Sequence, residues 1–305
     1  MDVSIIIVNY NTKDLIKNCI NSIYKHTKDV DFEIIVSDNG SVDGSIEMIK
    51  SEFPNVILIE NGSNLGFGTA NNRGLAIAKG KYIFYLNSDT LLLNNAVKYF
   101  YDYWETSPEK DNIGALGCNL LDENLSVSDS YGIFPNVNET IIELIRANYG
   151  LFKYFFKKVI FKKKIGITRI PKKFDFKIGA VDIIIGADLF IKNDEFAKFD
   201  EQIFLYHEEM DLQFQLKKEG KKRLLIEGPK IIHFEGQSSP DSKEISFEEI
   251  TRFSSRCKNI SRVYYFKKNI SHTKAFFIKF LTITLWLNPL VFKYTRQSLW
   301  DLIRR

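Results

Sequence analysis

Val3-Ser4-Ile5-Ile6-Ile7-Val8-Asn9-Tyr10-Asn11 is the stretch from which the fold follows. Its first six residues form a nearly continuous apolar, β-branched run, the pattern of a strand buried on both faces. Such a strand needs helices above and below it, and the residues that follow supply them. Asn11-Thr12 can cap a helix running to about Lys25, with Leu15, Ile16, Cys19, Ile20 and Ile23 on one stripe. Phe32 to Val36 predicts a second buried strand, ending at Ser37-Asp38-Asn39-Gly40. A short helix around Ser45 to Lys50 and a strand at Val56 to Ile59 come next. A Gly/Asn-rich turn then leads into a helix from about Thr69 to Ala78, and Tyr82 to Leu86 predicts the next strand. Repeated βα units of this length imply an α/β fold with a doubly wound, mainly parallel sheet. Ligands of such sheets bind beyond the carboxyl ends of the strands. Asn9, Asp38 and the group Asn87-Ser88-Asp89 stand at those ends.

The later half is less regular. Ile113 to Leu121 and Val181 to Ile185 are expected as strands, Asp188 to Phe199 as a helix. Glu208 to Glu219 predicts a helix ended by Gly220, followed by short strands at Lys222 to Ile226 and Ile231 to Phe234. From Phe247 onward the pattern is helical, and Ala275 to Phe292 is strongly apolar. A basic, aromatic segment around Tyr149 to Lys177 interrupts the α/β pattern like an insertion. No internal repeat is present.

The chain has 305 residues, 45% apolar and 26% charged, which is globular usage and excludes a disordered chain. Its 25 phenylalanines and 14 tyrosines must be buried or pressed against something apolar. Cys19, Cys118 and Cys257 lie far apart, without the spacing of a disulfide framework or a zinc site, so a reducing compartment is expected. No basic stretch with a cleavage site opens the chain, and no secretion signal is expected. The net charge of +4 is segregated. Arg146 to Lys177 holds 11 Lys/Arg against Asp175, and Arg252 to Arg305 holds 12 against Asp301. The remainder is acidic. A uniformly basic nucleic-acid binder is therefore excluded; two particular edges are suited to an anionic surface.

Five groups of residues could carry chemistry, and each has a plainer reading. Asp38 at a strand end can accept the N–H of a pyrimidine ring, or simply form an Asx-turn. Asn64-Leu65-Gly66-Phe67-Gly68 can cradle phosphate at a helix start. It lacks the third glycine of a dinucleotide fingerprint, since Asn71 stands there, and the Lys-Ser/Thr ending of a P-loop. Asp89 can hold a divalent metal with oxygen ligands, or cap the next helix. Glu208 and Glu209 open a helix, where the macrodipole favours carboxylates in any case. His233, on a short strand, can be a ligand or a core histidine.

The order of these pieces is more specific than any one of them. Residues 3–11, Val36-Ser37-Asp38-Asn39-Gly40-Ser41 with Val42-Asp43-Gly44-Ser45, and Asn64 through Gly68 with Asn71-Asn72-Arg73-Gly74 resemble the family 2 glycosyltransferases of GT-A fold. So do Leu86-Asn87-Ser88-Asp89, Gly186-Ala187-Asp188-Leu189, Phe199-Asp200-Glu201, Phe204 through Leu212 and Ile232-His233-Phe234-Glu235-Gly236. The resemblance covers roughly residues 3 to 238. Within the family the chain looks most like bacterial rhamnosyltransferase-type enzymes of cell-surface polysaccharide assembly.

The resemblance implies roles residue by residue. Asn9 and Tyr10 would line the base pocket, with Tyr10 packed on the ring, and Asp38 would read the base edge. Asn39, Asn64, Asn71, Asn87, Ser88 and Glu208 would complete the nucleotide and substrate contacts. Asp89, in the DxD-type motif, and His233 would hold Mn²⁺ or Mg²⁺. Glu209 would be the general base. Three positions depart from the family pattern: Asn87 at the first DxD position, Glu209 for the usual Asp, and Asn71 where many relatives carry Arg.

The implied reaction is an inverting, metal-dependent transfer of a sugar, rhamnose among the candidates, from a UDP- or dTDP-sugar to a hydroxyl of a glycan or polyprenyl-diphosphate-linked acceptor. A glycosidase needs two carboxyl groups flanking one bond. Glu208 and Glu209 are neighbours whose side chains diverge by about 100° on a helix, which disfavours that chemistry. A nicotinamide enzyme is disfavoured by the missing glycine fingerprint, and a non-catalytic nucleotide-sugar or glycan-binding module by the retention of Asp38, Asp89, Glu209 and His233. The expected organisation is a catalytic domain over residues 1–240, with the basic insertion at about 146–177, and a helical extension over 241–305. The extension and Leu151 to Lys158 have the composition of interfacial segments. Ala275 to Phe292 is short of the about 20 apolar residues of a spanning helix and contains Lys279. A helix lying in the membrane interface is expected, hence a protein peripheral on the cytoplasmic face of the membrane.

Overall fold

The computed structural model describes residues 1–161, 175–234, 252–289 and 291–304. The rest of the basic insertion, Glu235-Gly236 and the expected domain boundary lie outside the described residues. These form two compact units. The first comprises Met1–Phe134 with the described parts of Lys173–Phe204 and Glu208–Pro240; the second holds Leu205–His207 and the described parts of Pro135–Lys172 and Asp241–Arg305.

In the first unit β1 (Val3–Asn9), α1 (Lys13–His26), β2 (Phe32–Asp38), α2 (Ser45–Glu52), β3 (Ile57–Glu60), α3 (Phe67–Leu75) and β4 (Tyr82–Asn87) follow the expected alternation. Then come β5 (Thr90–Leu92), α4 (Ala96–Thr106), β6 (Ile113–Gly117) and β7 (Tyr131–Gly132). Beyond the second unit's first helix lie β8 (Gly179–Val181), β9 (Ile183–Ile184), β10 (Asp188–Lys192), α6 (Glu208–Lys218), β11 (Lys222–Leu225) and β12 (Ile231–His233). Among the described residues the main sheet has eight strands in the order β3-β2-β1-β4-β10-β6-β11-β8. β3, β2, β1 and β4 are parallel, and so are β6 and β11. Both faces are covered, as the β1 pattern requires. Ile5 and Ile7 enter a core with Ile16 and Ile20 of α1, Ile49 of α2 and Phe100 of α4. Ile6, pointing the other way, joins Leu75 of α3 and Leu212 and Leu216 of α6.

Two readings differ from the sequence expectation. Val181 to Ile185 is not one strand: β8 pairs with β11 in the main sheet, and β9 pairs with β7 in a separate ladder. Asp188 to Phe199 is not a helix: Asp188–Lys192 is strand β10, antiparallel to both β4 and β6. Leu189, Phe190 and Ile191 are all fully buried, so both faces of the strand are apolar and no alternation marks it. A short apolar run of this kind reads equally as a helix segment, and Asp188 in front of it looks like an N-cap. Asp194 does cap, but only the single turn Glu195–Ala197.

The second unit is helical: α5 (Val137–Phe161), α7 (Phe253–Asn269), α8 (His272–Trp286) and α9 (Phe292–Arg304). α8 packs against α5, α7 and α9, and Tyr265, Phe266, Ile278 and Trp286 are fully buried. The apolar stretch Ala275 to Phe292 is not one helix. It breaks after Trp286, where Asn288-Pro289 interrupts it, and Thr295 Oγ1 donates to the carbonyl of Trp286 at 2.8 Å. No helix among the described residues is long and apolar enough to cross a membrane.

Candidate active site

Parallel register brings the carboxyl ends of β2, β1 and β4 to one edge: Asp38 pairs with Asn9, and Asn87 with Val8. β10 runs the other way, so its first residue, Asp188, opposes Leu86 at that same edge.

At the β1–β2 end, Asp38 is fully buried. Its Oδ1 accepts from the backbone N–H of Gly40 at 3.0 Å and of Ser41 at 2.8 Å, and its Oδ2 from Asn9 Nδ2 at 2.7 Å. Three donors fix the direction of the carboxyl group. A carboxylate has about four lone-pair sites, which leaves room for one further donor. Asn9 uses its amide for bonds within the protein, the shortest of its donated ones to Asp38. Its Nδ2 also reaches Ser41 Oγ at 3.1 Å, and its Oδ1 accepts from Thr12 Oγ1 at 2.6 Å. Thr12 Oγ1 lies 3.0 Å from Ser88 Oγ, which ties the β1 and β4 ends together. Tyr10, beside Asn9, is 48% exposed and free to cover a ring.

The Gly/Asn-rich loop is stapled to β2 by Asn39. Its Nδ2 donates to Gly66 O at 3.2 Å, and its Oδ1 accepts from Asn61 Nδ2 at 3.1 Å. Asn64 Oδ1 accepts from Gly66 N at 3.0 Å. Gly66 needs its missing side chain: φ is +87°, and a Cβ there would sit 2.3 Å from Phe204 O. Asn39 and Asn71 are buried and bonded within the protein, Asn71 Nδ2 to Phe67 O at 3.2 Å, whereas Asn64 is exposed.

At the β4 end, Asp89 and His233 are both buried, and His233 Nε2 is 3.4 Å from Asp89 Oδ1. The pairing of β12 with β5, which sets His233 opposite Thr90, holds them together, and Phe234 N donates to Asp89 O at 2.9 Å. Asn87 Oδ1 is buried with no hydrogen-bond partner. A carboxylate and an imidazole side by side, with an unsatisfied amide oxygen two residues before the carboxylate, fit a divalent cation of the Mn²⁺ or Mg²⁺ kind. Among the described residues no three His, Cys, Asp or Glu side chains converge as a metal site, so further ligands would have to come from substrate or water.

Asp188 joins this edge although its sequence pattern suggests only a helix cap. It is fully buried; Oδ2 accepts from Cys118 N at 2.7 Å and Oδ1 has no partner. Burial, opposed by the Cys118 hydrogen bonds and by His233, pushes its carboxyl up to about 7. An acid opening an apolar run directly after Gly186-Ala187 is the one sequence signal that points to it.

Glu208 and Glu209 begin α6, as expected. Glu208 is buried with Oε2 unpartnered. Burial, and then the charge of Glu209, raise its carboxyl well above the usual range. Glu209 is half-buried and lies beside Gly186, where a Cβ would come 3.4 Å from Glu209 Cβ. A Cβ on Gly68 would lie 3.6 Å from Glu208 Cβ, so the glycine loop abuts the same helix end. Gln213, which no sequence motif marks, locks α6. Its Nε2 donates to Ile184 O at 2.8 Å and to Glu209 O at 3.2 Å, and its Oε1 accepts from Ile184 N at 2.8 Å.

A doubly wound sheet with a buried, oriented carboxylate, a carboxylate–imidazole pair and a carboxylate at a helix start on one edge is the GT-A arrangement. The profile of Glycosyl transferase family 2 matches residues 4–164, and the chain belongs to that family. It is 34% identical over 121 residues to the poly(ribitol-phosphate) beta-glucosyltransferase of Bacillus spizizenii, covering 38% of this chain and 19% of that protein. It is 26% identical over 243 residues to the rhamnosyltransferase WbbL of Escherichia coli, covering 76% of this chain and 83% of that one. The mannosyltransferase PcManGT of Pyrobaculum calidifontis, solved with GDP-Man and Mn²⁺, shares the fold at TM-score 0.55 and 15% identity, over 99% of this chain and 75% of that one. With several other curated relatives the chain matches only a third or less of their length.

Proposed function

We propose that the protein is an inverting, metal-dependent glycosyltransferase that moves a sugar from a UDP- or dTDP-sugar to a hydroxyl of a glycan or polyprenyl-diphosphate-linked acceptor in surface polysaccharide synthesis. The observation that carries this is the convergence of Asp38, the Asp89–His233 pair and the start of α6 at one sheet edge. Similarity to WbbL supports rhamnose as the first sugar to test. Catalysis is assigned to residues 1–240 and membrane contact to the basic helical residues beyond, on the cytoplasmic face.

Asp38 accepts the ring N–H of the base, with Tyr10 against the ring. Asp89 and His233 would hold the cation, with Asn87 and Ser88 beside the diphosphate. When bound, the cation supplies positive charge against the departing nucleoside diphosphate. Glu209 takes the proton of the acceptor hydroxyl as that oxygen bonds to the anomeric carbon and the carbon–oxygen bond to the diphosphate breaks. Burial and the charge of Glu209 push Glu208 toward its neutral form, which lessens the like charge beside Glu209. No covalent intermediate is required.

The test is a panel of nucleotide sugars with Mn²⁺ and a lipid-linked acceptor, read by nucleoside-diphosphate release. Glu209→Gln should lower turnover by about 10²- to 10⁴-fold with donor affinity unchanged, and Glu208→Gln should cost less. Donor binding without turnover for any sugar would leave a nucleotide-sugar-binding module instead.

A further inference from the structure

The second unit carries its own surface. α8 turns Ala275, Ile278, Thr282 and Leu285 inward, and Phe276 and Phe280, one turn apart, outward at 71% and 52% exposure. On α9, Trp300 and Ile303 are outward at 66% and 42%. Lys279 Nζ donates to Ile303 O at 2.6 Å, so the two outward stripes are neighbours. Four large apolar side chains on adjacent helices are more than scattered surface hydrophobes. The chain from Arg252 to Arg305 bears 12 Lys/Arg and one acid, Asp301, and on the same two helices Lys274, Lys293, Arg296 and Arg304 are exposed.

We propose that the outward stripes of α8 and α9, with Phe276, Phe280, Trp300 and Ile303 as the inserted residues, dock on an anionic lipid leaflet. This deepens the membrane part of the proposed function and does not depend on the identity of the donor. The charge decides among occupants. A second copy would bring one strongly cationic patch against another at a low-dielectric contact, where repulsion is strongest. An anionic headgroup layer instead neutralises the lysines and arginines while the aromatic rings enter the acyl boundary. Lys279 suits that boundary: a lysine can bury its stem and keep its charge at the surface, and this ammonium reaches the carbonyl of Ile303 at the end of α9.

Trp300 is a built-in reporter. The other two tryptophans, Trp104 and Trp286, are buried at 3% and 0% exposure. The full chain should co-sediment with phosphatidylglycerol-containing vesicles and not with pure phosphatidylcholine, and about 0.5 M salt should release it. Brominated acyl chains should quench a part of the fluorescence that Trp300→Phe removes. Phe276→Ser with Phe280→Ser, at unchanged net charge, should weaken vesicle binding at least tenfold. Lys274→Glu with Arg296→Glu should weaken it about fivefold or more per charge. Circular dichroism and binding of UDP or dTDP should be unchanged in every variant, which separates this test from that of the transfer reaction. Equal binding to both vesicle types, absence of quenching, or a dimer in sedimentation velocity that the double Ser variant loses would overturn the proposal.

Discussion

His233 Nε2 stands 3.4 Å from Asp89 Oδ1, one on β12 and the other in the turn between β4 and β5. The short β5–β12 ladder and the bond from Phe234 N to Asp89 O keep them together. Because neither side chain supports the apolar core, Asp89→Ala should leave the thermal midpoint within a few degrees. Manganese-dependent donor binding should be lost and turnover should fall by at least about 10²-fold. His233→Ala should act in the same direction and more weakly. Calorimetry with and without Mn²⁺, alongside turnover in chelator, checks both.

Asp38 and Asn9 predict a different kind of defect. Asn9→Ala removes the 2.7 Å donor from a fully buried carboxylate that keeps its two backbone donors. A buried acceptor deprived of a partner costs about 1–3 kcal/mol, so denaturant unfolding should show that loss together with weaker nucleoside-diphosphate affinity. Asp38→Asn should lose affinity as well, since an amide cannot accept from every side.

Gly66 and Gly62 form a matched pair. Both have positive φ, +87° and +71°, but a Cβ would strike Phe204 O at Gly66 and meets nothing within 4 Å at Gly62. Gly62→Ala should cost only the conformational preference, about 1 kcal/mol. Gly66→Ala should cost clearly more and lower turnover too, because the loop it shapes abuts Glu208 through Gly68. Melting temperatures of the two variants make the comparison.

The pH dependence of stability has a definite contribution from His207. It stacks on Tyr265 with ring centroids 5.8 Å apart. Burial, then Lys258 and Arg262, lower its imidazole from 6.5 to about 3. The unfolded chain therefore binds a proton below pH 6.5 that the folded chain refuses. Stability from this group is complete above pH 6.5 and is lost as the pH falls toward 3. Between about pH 7 and pH 5 the loss should be about 1–2 kcal/mol. His207→Asn, which tolerates the left-handed φ of +72° at this position, should lack that slope. The difference between the two chains in urea midpoints at about pH 7 and pH 5 isolates it.

The parallel half of the sheet is readable because buried strands and capped helices each leave a continuous local pattern, as at Val3 to Val8 and Lys13 to His26. Asp38, Asp89 and Glu209 are readable because they end or begin such elements. β10 is not, because burial on both faces erases its period, and with it goes the sheet-edge position of Asp188. Gln213 is unreadable for another reason. Its three hydrogen bonds include two that connect α6 to β9, a contact that has no counterpart within the helix's own sequence. Asn9 is legible as a residue of the site, yet its bonds make it a support for Asp38.

The antiparallel β10 also sets the timing of synthesis. It fills the gap between β4 and β6, and roughly one hundred residues separate the end of β4 from Asp188. At about 5–20 residues per second the ribosome needs on the order of 5–20 s to deliver it. Until then the edge of β4, joined by that of β6 once it is made, stands unpaired and able to pair with a neighbouring polypeptide. Residues 4–164, the stretch that matches the family profile, do not include the strand that closes them. A fragment cut there should be adhesive as well as inactive.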